Sequence, residues 1–227
     1  MATATQELHR LTSLSRLGRY PDSSRLLQGF QTDDLTCFPW FFKHYDESLP
    51  ATPLPRDLPA TTDSTVAVLA GSAGVPPQEL DLPRLSRMLH LAAGVVRTAE
   101  RPYGTHLFRA TGSAGGRFPL ELYVAVPDGH AVAGGVYWYH PQRHALVLVA
   151  PPPRGAAPAV VVTGIPWRTG WRYRERGFRH LFWDAGCMLA QLLAAADSAG
   201  LRPSLFSRFP DVDVATLVGA DLVHELP

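Results

Sequence analysis

The sequence predicts an α+β fold, with helices packed on a mainly antiparallel sheet around one long central helix. Three observations carry that expectation. Four short segments, 120–126, 135–139, 145–149 and 159–162, are rich in valine and tyrosine and separated by Gly, Pro and Asp, as strands joined by turns are. A stretch from about Arg174 to Ala199 repeats apolar residues at helical spacing. Helical patterns also stand before and after the strands.

Taken in order, residues 1–63 read as an N-terminal extension ending in a connector. The segment 50–63 carries four prolines in fourteen positions, and proline fixes φ and drives its predecessor out of the helical region. The main domain is expected over 64–227. Asp81-Leu82-Pro83 opens a helix, with Asp81 as cap and Pro83 in the first turn, and Gly94 stops it. The segments 136–139 and 145–149 flank His-Pro-Gln-Arg-His and form an antiparallel hairpin. In the long helix Phe178, Leu181, Phe182, Ala185, Met188, Leu189, Leu192, Leu193 and Ala196 make a wide apolar stripe, so it is buried on more than one side. A strand at 205–209, a short helix at 211–218 and a last strand at 222–226 complete the pattern. The sequence stops as that last strand begins, so either a partner chain supplies its neighbour or the protein continues.

Composition narrows the function. The 227 residues are 46% hydrophobic and 18% charged, with net charge +1, which gives no electrostatic case for nucleic-acid binding. The basic residues are arginines except for Lys43. Cys37 and Cys187 lie far apart and read as thiols of a reducing compartment, the histidines do not cluster for a metal, and no apolar run suits a membrane span. A cytoplasmic protein without a metal site is expected. No GxSxG elbow marks a serine nucleophile.

Two segments can carry chemistry. Gly112-Ser113-Ala114-Gly115-Gly116-Arg117-Phe118-Pro119 precedes a strand. Small residues let backbone N–H groups approach an anion or a flat ring, and a guanidinium grips phosphate in a fork. The same loop also suits an ordinary turn. Residues 164–180 carry five arginines with Trp167, Trp171 and Tyr173 just before the long helix. Arginine is poorly placed at a helix start, where the dipole favours negative charge, so an anion nearby would make sense of it. Tyr173 offers an O–H for proton transfer.

The order SAGGRFPLELYVAV, GVYWYHPQRHALVLV, WRYRERGFRHLFWDAGCMLAQLLAAADSAGL resembles the SagB-type dehydrogenases over roughly residues 80–225. These are FMN-dependent proteins of nitroreductase-like fold that oxidise thiazolines and oxazolines to azoles in ribosomally made peptides. The resemblance implies FMN contact at Ser113, Ala114, Gly115, Gly116, Arg117 and Pro119, with Arg208 as a further phosphate candidate beside Arg97 and Arg101. It aligns the family's proton-removing Lys-Tyr pair with Arg172-Tyr173. Arginine stays protonated and cannot replace lysine as a base, though it can orient an anion. The family's early Arg-Arg-Ser-x-Arg stretch has no counterpart, since residues 64–79 contain no arginine. The resemblance implies a modified precursor peptide as substrate, and a homodimer or a heterodimer with a second nitroreductase-like chain. Three readings stay open: an azoline dehydrogenase, a catalytically degenerate partner subunit of the same fold, and a general flavin reductase.

Overall fold

The computed structural model describes residues 34–227 apart from Tyr103 and Ala156, together with residues 3, 4, 6, 7 and 10. Residues 11–33 of the expected N-terminal extension lie outside the described residues. The chain forms β1 (Ala51–Pro53), α1 (Thr65–Leu69), α2 (Leu82–Ala93), β2 (Val95–Arg101), β3 (Gly104–Arg109), β4 (Leu120–Val126), β5 (Gly135–His140), β6 (Ala145–Ala150), β7 (Ala159–Gly164), α3 (Pro166–Tyr173), α4 (Gly177–Ser198) and α5 (Asp211–Val218). Five strands make one sheet in the order β1-β6-β5-β4-β7, and β2 and β3 pair separately. Every pairing is antiparallel. This is the mixed α+β architecture the sequence predicts.

The central strand shows why the sheet is buried on both sides. All seven residues of β4 are buried, and alternate side chains point to opposite faces. Leu120, Leu122, Val124 and Val126 enter the main core with Leu85, Leu89 and Ala92 of α2 and Met188, Leu192 and Ala196 of α4. Tyr123 and Ala125 face the other way, against Val136, Trp138, Val147 and Val218 of α5. Helix α2 begins where expected: the Asp81 carboxylate accepts the Arg84 N–H at 2.8 Å, satisfying a donor that the first turn leaves unpaired. Gly94 closes it.

Two buried polar clusters tie distant segments to this frame. The Lys43 ammonium donates to Glu225 at 2.5 Å and to the Tyr123 hydroxyl at 2.6 Å. Tyr123 and Thr163 also donate to Glu225, at 2.9 and 2.5 Å. Behind the β5–β6 hairpin the His144 ring meets Ser86 Oγ and the Tyr139 hydroxyl, both at 2.8 Å. Burial pushes the His144 imidazole pKa down, so it is held neutral.

Several elements depart from expectation. The segment 205–209 is not a strand. Leu205 and Phe206 face solvent there, no strand pairs with it among the described residues, and prolines at 203 and 210 bracket the stretch. The expected last strand reduces to one bridge between Leu226 and Gly164. The long helix starts at Gly177 rather than Arg174, because Arg174–Arg176 form a 3-10 turn. Helix α3 and the β2–β3 hairpin are additional. Residues 51–53, within the expected connector, pair with β6 as an edge strand.

Candidate functional site

The 112–118 loop, the end of α3 and the start of α4 meet in space. The loop folds as a 3-10 turn at Ala114–Gly116, with Gly115 at φ 58° and Gly116 at φ 64°. Left-handed backbone of this kind strains any residue with a Cβ. Asp184, on the buried face of α4, pins the turn: its carboxylate accepts the Ser113 hydroxyl at 2.5 Å and the Ala114 N–H at 3.1 Å. The Ser113 oxygen in turn accepts the Phe118 N–H at 2.8 Å. Burial raises the Asp184 pKa, while the Ser113 and Ala114 hydrogen bonds pull the other way.

Tyr173 closes on the loop from the opposite side. A Cβ at Gly115 would run into the Tyr173 hydroxyl and the Arg172 side chain, so only glycine admits them. The Tyr173 ring lies 4.3 Å from that of His180, centroid to centroid, and His180 is 4.9 Å from Trp183. His180 is 5% exposed, and neither ring nitrogen has a hydrogen-bond partner among the described residues. Burial holds its pKa below the ordinary imidazole value, with Arg176 and Arg179 adding to the shift and Asp184 opposing it. Helices α3 and α4 can meet this closely because Gly177 abuts the backbone of Thr169 and Gly170.

The turn between those helices is strained. Arg174 adopts φ 53°, ψ −139°, and Phe118, at the far end of the loop, has φ 47°. Positive φ at residues with side chains persists only where surroundings enforce it, and it gathers at functional sites. Here the enforcement at the loop end is visible. Arg168 donates to the Phe118 carbonyl at 2.9 Å and pairs with Glu121 at 2.6 Å, both side chains being nearly inaccessible. Glu121 also accepts the Trp138 indole N–H at 2.8 Å.

The expected site residues distribute as follows. Ser113, Ala114, Gly115, Gly116, Arg117 and Pro119 form one loop, and Arg172 and Tyr173 pack against it. The Arg117 guanidinium lies over the rings of Phe38, Phe41 and Trp171 and donates to the Gly115 carbonyl at 3.1 Å. Arg208 sits in the exposed stretch 202–210, and no hydrogen bond or ion pair to the loop occurs there among the described residues. Arg97 covers the Phe108 ring at 4.0 Å on the separate hairpin. Among the described residues no group of His, Cys, Asp or Glu has metal-binding arrangement, and no helix is long and apolar enough to cross a membrane. Cys37 and Cys187 are free and exposed.

Reading the sequence overlooked Asp184, His180 and Arg109. The first two carry a signal: they stand at i and i+4 and continue through Met188 and Leu192, polar groups set in the buried stripe of a helix. Arg109 carries none. It lies between the rings of Phe42 and Phe118, 4.6 and 4.7 Å away, and donates to the Phe41 carbonyl at 2.5 Å. Burial pulls its pKa down to about 10. With Thr111, Ser113 and Asp184 it lines a partly open crevice of about 10 Å³, room for about one water.

The geometry tests which part of FMN this loop suits. The N–H groups of Ala114, Gly116, Arg117 and Phe118 are engaged within the protein, so the loop is not a set of free donors awaiting phosphate. The open sides of Gly112 and Gly116, where nothing lies within 4 Å, suit the close approach of a flat ring.

No family model matches the chain. It is similar to MJ1384 of Methanocaldococcus jannaschii, named as a nitroreductase, with 32% identity over 61% of this chain and 74% of that protein. It is 30% identical to the trifolitoxin-processing protein TfxB of Rhizobium leguminosarum bv. trifolii, over 77% of this chain and 53% of that protein. A crystal structure of a nitroreductase-type protein from Anabaena variabilis superposes with TM-score 0.71 and 26% identity, covering 86% of this chain and 40% of that one. The E. coli microcin synthetase McbBCD complex with truncated pro-MccB17 bound shares the fold, with TM-score 0.56 and 20% identity over 76% of this chain and 73% of that one. The chain thus spans about half of TfxB and two fifths of the Anabaena protein.

Proposed function

This chain belongs to the nitroreductase family, and on that premise we propose that it is an FMN-dependent oxidoreductase of the SagB type, oxidising thiazoline or oxazoline rings to azoles in a modified precursor peptide. The observation that carries the reading is the seating of the Tyr173 hydroxyl on Gly115, which puts a proton-transferring group directly on the small-residue loop. The relatives support the peptide substrate: one is named for trifolitoxin processing and one for a microcin synthetase with its pro-peptide bound.

In this reading Ser113 to Pro119 hold the flavin ring, with Asp184 fixing the loop's shape through Ser113 and Ala114. FMN, when bound, supplies the two-electron acceptor that ring oxidation needs. Tyr173 receives the proton that leaves the azoline, and Arg172 orients an anionic group of substrate or cofactor. Phe182 and Trp183, 63% and 52% exposed beside the site, give a second nitroreductase-like chain an apolar face to cover. The reading includes a dimer of either kind, Arg208 as a reserve phosphate contact and a cytoplasmic location, with residues 64–227 as the flavin domain and 1–63 as its extension.

The test is a visible spectrum and a turnover assay. Purified protein supplied with FMN is expected to stay yellow after desalting and to add azole absorbance to an azoline-containing peptide, and Tyr173→Phe is expected to lower turnover by about 10²–10⁴-fold. A folded, dimeric protein that stays colourless with FMN overturns the reading. A second reading, a degenerate partner subunit completing another chain's site, is favoured by the internally engaged loop donors and the absence of arginine from residues 64–79. It expects no flavin on the isolated protein and stable association with a second nitroreductase-like chain.

A further inference from the structure

The start of α4 buries a histidine that packing alone does not account for. Buried polar atoms in folded proteins are nearly always hydrogen-bonded, and each exception calls for a reason. His180 is 5% exposed and both its ring nitrogens are unpartnered among the described residues, although the same fold satisfies both nitrogens of His144. The ring faces Tyr173 at 4.3 Å and Trp183 at 4.9 Å.

We propose that His180 is the positioning residue that takes up the Tyr173 proton, the role for which Arg172 is unsuited. The inference rests on the reading of Tyr173 given above. Imidazole changes charge near neutral pH, whereas a guanidinium stays protonated. The charged groups facing His180 are Arg176 on the 3-10 turn and Arg179 and Asp184 on its own helix, with Tyr173 across from it on α3. The two arginines and burial favour the neutral ring, which is the form able to accept a proton, and Asp184 favours the charged product.

The transfer balances without a change of electrons. The Tyr173 hydroxyl makes no hydrogen bond to either imidazole nitrogen, so the O–H bond breaks as its proton passes to one of them through a bridging water. The phenolate oxygen then takes the proton of the substrate C–H bond, whose electron pair stays in the ring. The imidazolium returns its proton to water, and the oxidant remains the flavin of the reading above.

Two measurements test this separately. The first needs neither flavin nor turnover: the His180 ring resonance, assigned by its loss in His180→Phe, is titrated by NMR in the wild type and in Tyr173→Phe. A shift of its midpoint by half a pH unit or more is expected, and an unmoved midpoint overturns the proposal even if the azoline reading stands. The second is the pH profile of kcat/KM for the FMN-loaded protein. His180→Phe keeps the flat ring, so FMN affinity and Tm are expected to hold while the rate falls about 100-fold and the acid limb disappears. His180→Gln is expected to do the same. Wild-type rates with an unchanged acid limb in either variant overturn the proposal, because packing alone would then account for the ring. If the wild type turns over no azoline, the functional reading fails, and the NMR midpoint still decides whether the two side chains are coupled.

Discussion

Lys43, Tyr123, Thr163 and Glu225 form one buried polar cluster, and Tyr173, His180, Asp184 and the 112–118 loop form another, on the opposite side of the sheet's main core. In the first, Glu225 accepts from three side chains at 2.5 to 2.9 Å, and burial with the neighbouring Glu225 charge pushes the Tyr123 pKa up. In the second, Asp184 is well partnered but His180 is not. Positive φ does not separate the two, since Leu222, whose N–H donates to the Glu225 carbonyl, has φ 62°, and Phe118 and Arg174 flank the second. A cluster whose polar groups satisfy one another holds segments together. A cluster with unmet hydrogen-bonding capacity is shaped for something else to enter.

The largest expected effect breaks the satisfied cluster. Glu225→Ala leaves the Lys43 ammonium without its anionic partner and is expected to cost about 3–5 kcal/mol by urea denaturation. A loss below about 1 kcal/mol would mean the cluster is not what anchors residues 43–45 and the C-terminus to β4. At the site, Gly115→Ala meets both an unfavourable φ and the Tyr173 hydroxyl, and is expected to lose about 1–3 kcal/mol. Its neighbour Gly116 has a similar φ but open space, so Gly116→Ala is expected to lose only about 1 kcal/mol. Equal losses for the two would remove the case for Tyr173 on Gly115.

Acid sharpens the comparison at smaller amplitude. Burial lowers the pKa of His90, His144 and His180, and carries His140 down to about 4. Unfolding returns these groups to about 6.5, so below that pH the unfolded state binds more protons. Stability is therefore fully present above pH 6.5 and is lost as pH falls from there toward 4, at about 1.4 kcal/mol per unit of displacement. In His180→Phe the fall is expected to be shallower. At pH 7 that variant is expected to lie within about 1 kcal/mol of wild type, since it removes a buried group that nothing satisfies.

How far the sequence reached follows from where each element draws its stability. Helix 82–93 and strand 120–126 were readable because capping, proline placement and apolar spacing agree there. The β2–β3 hairpin was not, since Arg97, Thr98, Glu100 and Arg101 are exposed and leave no apolar alternation. The segment 205–209, with Leu205, Phe206 and Phe209, read as a strand but has no neighbour to pair with among the described residues. At the site, glycines and Tyr173 stood out by residue type. Asp184 and His180 did not, because their meaning depends on α4 docking beneath a loop some seventy positions earlier, a tertiary contact that local pattern does not encode.

The central claim is that the open side of this loop seats a flavin ring. Its most direct test compares the visible spectra of wild type and Gly116→Val after incubation with FMN and desalting, alone and with a second nitroreductase-like chain. The account predicts flavin bands on the wild type and their loss from a Gly116→Val protein that remains folded. Flavin bands of equal strength on both proteins, or on neither, would contradict it.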